Sequence, residues 1–175
     1  MLLPIEGAHA LPLIADCLKN DQFLGIVQIK NNNDFYTTGT VGKILDFQEI
    51  DQDKICVLIE GLACFELISY EKTDHAYIKG IVHYKMHHMS ATFSRDRLKK
   101  ALVHYFFKLN IEPNWDLINR YSDQHLVQYL LGFCPFESIE KQCLLEAKSL
   151  NEQCSLLTQI LELSFMRNRC EMSTH

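Results

Sequence analysis

The chain has 175 residues, enough for one substantial core or two small ones. With 47% hydrophobic and 22% charged residues it lies well away from disordered compositions, and a net charge of −5 excludes broad electrostatic capture of nucleic acid, which needs a basic face. No charged leader precedes an apolar stretch and no apolar run approaches the ~18 residues of a membrane span, so the reading is a soluble cytoplasmic chain with no membrane partner.

Leu2, Leu3 and Ile5 form a short apolar segment that Pro4 restricts to a sheet edge, because proline cannot donate to a ladder. Leu11, Ile14, Ala15 and Leu18 then recur at helical spacing, and that helix ends near Asn20 and Asp21. Phe23 to Lys30 reads as a strand, and residues 31–34 as a turn by composition. Gly39 to Glu49, Lys54 to Gly61, Ala63 to Glu71 and Ala76 to Lys85 repeat the strand pattern. Asp51 to Asp53, Gly61 and Thr73 to His75 separate them as turns. Short strands about 10 residues apart predict an antiparallel barrel or half-barrel, not a parallel α/β sheet.

From Ser94 the period becomes helical. Ser94 is an N-cap candidate, Asp96 lies in the first turn, and Leu98, Leu102, Tyr105 and Leu109 form a stripe flanked by Ala101 and Phe106. Pro113 closes that helix, and Trp115 to Arg120 makes a short one. Ser122 caps another, whose inner face is Leu126, Val127, Leu130 and Leu131 and which ends before Cys134-Pro135. Ile139, Cys143 and Ala147 share one face of the next. Ser149 and Glu152 have capping-box spacing, so a last helix starts there, with Cys154, Leu157, Leu161 and Phe165 as its stripe. The tail from residue 169 is read as disordered.

Gly39-Thr-Val-Gly42-Lys43 lacks the glycine spacing of a phosphate loop and has Ile44 where a magnesium-binding hydroxyl belongs, so these glycines read as a strand bend or bulge. His83, His87 and His88 are weak metal candidates, without a nearby acidic or cysteine ligand, and a solvated linker is the plainer reading. His104 and His125 read as surface or packed residues, and Arg95, Arg97, Lys99 and Lys100 as a solvated helix start. Seven cysteines, odd in number and without a C-x-x-C pair, read as reduced, buried thiols. No hydrolase signature or paired-carboxylate arrangement is present, so no catalytic residue and no cofactor is expected. Phe35 and Tyr36, adjacent aromatics in a polar turn, are candidate partner-binding residues.

Leu24 to Lys30, Gly39 to Phe47 and Ile55 to Leu67 resemble the N-terminal substrate-binding domain of Lon proteases. Pro135-Phe136, Glu140-Lys141-Gln142 and Leu144-Leu145-Glu146 resemble the helical half of its stand-alone bacterial version. The resemblance spans roughly residues 1 to 166. It implies an α+β protein in which a PUA-like antiparallel β-barrel, residues 1–90, precedes an α-helical bundle, residues 91–168. It further implies a non-enzymatic domain that binds unfolded or flexible polypeptide segments or a partner protein. An RNA-binding PUA-like module is the alternative. Three departures from the family pattern stand out. The first strand and Phe-Pro-Gly loop of the family have no counterpart before Met1, so either the true start lies upstream or the barrel is open at one edge. Ile5-Glu6-Gly7-Ala8-His9-Ala10 replaces Ile-Phe-Glu-Pro-Arg-Tyr. Cys64 stands where the arginine of a Gly-x-x-Arg-Phe turn is expected, so contacts made by those groups do not carry over.

Overall fold

Residues 1–31, 34–51, 53–74, 77–85 and 94–172 are described by the structure, a computed structural model. The chain divides into two compact units, Met1–Met86 and His87–His175. In the first, β1 (Leu2–Glu6), α1 (Ala10–Lys19), β2 (Phe23–Asn31), β3 (Asp34–Asp51), β4 (Lys54–Lys72) and β5 (Ile78–Lys85) follow in order. Every strand pairing is antiparallel, in the order β1-β4-β3-β2, with β5 also on β4. β1 pairs with the first part of β4 (Leu2↔Leu58) and β5 with the last (Cys64↔Lys85 to Lys72↔Ile78). Among the described residues β2 and β5 do not pair with each other, so the antiparallel sheet is open. Pro4 lies on β1, at the edge its missing N–H demands.

The core of this unit joins Ala10 and Ile14 of α1 to Leu24, Ile44, Ile55, Val57 and Ile59 of the sheet. Burying each large aliphatic side chain contributes about 1.5–3 kcal/mol. The inward stripe of α1 is Ala10, Leu13, Ile14, Cys17 and Leu18, with Leu11 exposed, so the face is rotated from the one predicted. A tight turn precedes the helix. Gly7 takes φ +107°, donates to the Asp53 carbonyl at 2.7 Å and accepts from Ala10 N at 2.9 Å, a backbone state that a side chain would strain.

Two strand boundaries differ from expectation. β4 runs straight through Gly61, which was read as a turn. Gly42 pairs with Gly61 and Val41 with Ala63, so Leu62 is an extra residue accommodated by a register shift. Phe35 and Tyr36 lie within β3, not on a loop, because Ile29 pairs with Phe35 and Asn31 with Asp34, which starts β3 ahead of the predicted Gly39.

The second unit holds α2 (Arg95–Leu109), α3 (Trp115–Arg120), α4 (Asp123–Phe133), α5 (Ser138–Glu146) and α6 (Leu150–Met172). Local chemistry starts most of them. Ser94 Oγ accepts from Arg97 N, Asn114 Oδ1 from Leu117 N at 3.0 Å, and Ser122 Oγ from His125 N. Ser149 Oγ accepts from Glu152 N at 3.2 Å while Glu152 Oε2 reaches back to Lys148 N at 2.8 Å, a capping box displaced by one residue. α2 ends at Asn110, whose left-handed φ of 57° suits a helix terminus. The shared core includes Leu98, Leu102 and Phe106 of α2, Leu126 and Leu130 of α4, Leu144 of α5, and Leu157 and Leu161 of α6.

Three readings are corrected here. Ile139 and Cys143 of α5 are exposed and Gln142 and Leu144 are buried instead, while Ala147 of the expected face is buried at the C-cap. The Gln142 amide donates to Glu146 at 2.9 Å, which lets a polar group occupy an inward position. α6 continues to Met172, past the residue-169 boundary of the expected tail, because no proline or glycine interrupts residues 165–172. Arg95 is not a free surface cation: its guanidinium donates to Asp123 Oδ1 at 2.9 Å and to the Ile118 and Tyr121 carbonyls at 3.0 and 2.6 Å.

Candidate functional site

An open groove of about 740 Å³ lies wholly within the first unit, inside the roughly 300–1,000 Å³ range of ligand sites. Leu24, Val41 and Phe65 line it at depth. Leu13 and Cys17 come from α1, Phe23 and Ile26 from β2, and Ile78 and Val82 from β5. The concavity follows from close backbone approach. A Cβ on Gly39 would sit 2.5 Å from the Ile26 carbonyl and 2.6 Å from Phe65 Cζ, and one on Gly42 would sit 2.8 Å from the Glu60 carbonyl. Only glycine lets β3 press against its neighbours there.

Polar groups gather where α1 ends. The Tyr77 hydroxyl donates to the Asp16 carboxylate, and Lys79 Nζ stands 3.9 Å from Asp16 and 6.0 Å from the Tyr77 ring centroid. The Asp16 hydrogen bond and burial together hold the Tyr77 phenol above its usual range. Asn20 Nδ2 donates to the Asp16 carbonyl at 2.7 Å, and Asp21 adds an exposed carboxylate. Burial, with Asp16 second, raises the Cys17 thiol, so at neutral pH it is uncharged and acts as apolar lining. The arrangement suits an apolar ligand carrying a positive end.

Phe35 lines the groove, its ring packed edge-on against Tyr70 at 5.4 Å between centroids. Tyr36 instead takes Lys30 Nζ at 5.8 Å from its ring centroid. His83 is exposed on β5 opposite Glu66, while His87 and His88 lie outside the described residues. Among the described residues no group of three or more His, Cys, Asp or Glu could hold a metal ion. Cys64 lies beside Thr40, its thiol raised chiefly by burial, so a neutral group occupies the position where arginine was expected. The rest of the lining was missed in the sequence. Leu13 and Cys17 share an α1 face with the core stripe, and Phe23 and Ile26 read only as strand residues. The detectable signal was the pair of glycines in β3.

The open antiparallel sheet and the separate helical unit place the protein in the α+β class. The family model for the ATP-dependent protease La (LON) substrate-binding domain matches residues 1–162, and the chain belongs to that family. It is 27% identical over 193 residues to a Lon protease of Parabacteroides distasonis, covering 98% of this chain and 23% of that protein, so it spans under a quarter of that relative. Two solved structures share the fold. A Lon N-terminal domain protein from Xanthomonas campestris gives a TM-score of 0.64 at 16% identity, covering 90% of this chain and 86% of that one. The N-terminal domain of Mycobacterium avium complex Lon protease gives 0.66 at 18%, covering 93% and 90%. No described helix is long and apolar enough to cross a membrane.

Proposed function

We infer that the chain is a non-catalytic, cytoplasmic polypeptide-recognition domain whose site is the groove of the sheet unit. Membership of a substrate-binding family supports the role, and the open apolar groove is the observation that carries it. The groove groups with shifted acidity, Cys17 and Tyr77, are both held in their neutral forms, the reverse of what a nucleophile or general base needs. Phe35 is the contact residue retained from the sequence reading, now as part of the groove wall. The RNA-binding alternative draws no support from Arg95 and Arg97 of α2, which are bonded to Asp123 and, at 3.0 and 2.8 Å, to Glu162.

Fluorescence anisotropy with a labelled, permanently unfolded polypeptide and a folded control tests the reading. Phe23→Asp, at the half-exposed rim of the groove, should weaken capture of the unfolded chain about tenfold. Phe107→Asp, on the exposed face of α2, should leave it unchanged. Equal binding of folded and unfolded polypeptide, or equal effects of the two substitutions, would remove the support.

A further inference from the structure

The ladder geometry of β2 shows which backbone groups face outward. Ile44 N donates to the Gln22 carbonyl at 2.8 Å, while Gln22 N turns to the Cys17 carbonyl, so Gln22 opposite Ile44 marks a position at which the two strands bond. Antiparallel pairs alternate, and the register Phe23↔Lys43, Leu24↔Gly42, Gly25↔Val41, Ile26↔Thr40, Val27↔Gly39 is unbroken. Leu24 and Ile26 therefore bond to β3, and Phe23, Gly25 and Val27 turn their N–H and C=O groups away from it. No strand among the described residues pairs with that edge. All three residues also line the groove.

Charge distinguishes the two ends of this edge. Its Phe23 end lies beside the C-terminus of α1, where helix carbonyls present partial negative charge and Asp16 and Asp21 present carboxylates. Among the described cations near this end, Lys79 lines the groove and is shared with Asp16, while Lys19 in the last turn of α1 and Lys43 opposite Phe23 are exposed and stand outside the lining. Ile29 and Phe35 make the far end apolar.

Resting on the polypeptide-binding reading, we propose that the groove takes its ligand as an added β-strand antiparallel to β2. The ligand is an extended segment with apolar side chains at alternate positions and a lysine or arginine at its C-terminal end. Its backbone pairs with Phe23, Gly25 and Val27, its alternate side chains enter the groove over Leu24 and Phe65, and its basic end meets Asp16 and Asp21. An antiparallel strand puts its C-terminus at the Phe23 end, which is why the cation belongs there.

The full chain, isotope-labelled, is titrated with a short synthetic peptide, acetylated at its N-terminus and amidated at its C-terminus, that alternates valine and serine and ends in lysine. Binding is followed by chemical shift, and backbone pairing by amide hydrogen exchange. The amides of Phe23, Gly25 and Val27 should gain protection. Methylating the peptide nitrogens that face β2 should weaken binding about tenfold, and methylating the intervening ones should not. Moving the lysine to the N-terminal end should weaken it roughly threefold to fivefold. Binding that persists without this protection and ignores both methylation patterns overturns strand addition and leaves polypeptide recognition standing. Failure of every peptide pattern to bind overturns both. Protection of the same amides that grows with protein concentration and without peptide overturns the proposal in favour of a second copy at this edge.

Discussion

Gly39 and Gly61 look alike in the sequence, each a single glycine in an apolar strand. Their surroundings differ. A methyl group at Gly39 meets the Ile26 carbonyl, the Phe65 ring and Val27 Cγ1 at 2.5–2.7 Å, and a methyl group at Gly61 meets nothing within 4 Å. Gly39→Ala should cost about 1–3 kcal/mol in denaturant unfolding and Gly61→Ala within about 0.5 kcal/mol of nothing. The sequence reading of Gly39 and Gly42 as a bend was sound, but it could not show that Phe65 and Ile59 are what they make room for. Cysteines divide in the same way. Cys134 and Cys154 are buried and their thiols are pushed up to about 12 by loss of solvation, whereas Cys143 is exposed. Brief alkylation at neutral pH followed by peptide mapping should modify Cys143 ahead of Cys134 and Cys154, which react only after unfolding.

Elements whose start is decided by neighbours in sequence were legible. Ser94, Ser122 and Ser149 cap the helices that their spacing announced, because a cap involves only residues within one turn. Ser149→Ala should lower the stability of the chain by about 1 kcal/mol, read as a shifted urea midpoint with unchanged slope, and Ser149→Asp should restore most of it. Strand faces were less legible for a specific reason. Residues opposite one another point to the same side, so the side of β3 that carries Gly39 and Val41 passes to Gly42 and Ile44 at one register shift and to Phe47 and Glu49 at the next. A period of two read along the sequence therefore loses its place twice. The groove inherits that difficulty: its walls come from five strands and a helix that are brought together only by pairing.

For the whole molecule, the two thiols give stability a direction with pH. Unfolded Cys134 and Cys154 ionise near the ordinary value of 9.0, and in the folded chain only near 12. Folding keeps the protons that the unfolded chain gives up, so this contribution is complete below pH 9 and is lost as pH rises toward 12. The thermal midpoint should fall through that window, and a Cys134→Ala, Cys154→Ala double variant should show a shallower fall. The split between a sheet half and a helical half was visible as a change of period near Ser94, while the openness of the sheet came from counting family strands and not from any residue in hand. β1 carries one more implication, which concerns time. Leu2 pairs with Leu58, so β1, which is synthesised before the other described strands, waits for residues more than fifty positions later before its ladder exists. The hairpin of β3 and β4 has no such wait, since Asp51 pairs with Lys54. During translation Leu2, Leu3 and Ile5 are thus an apolar stretch seeking a partner, and the domain passes through a stage in which it is itself the kind of unfolded segment that chaperones bind.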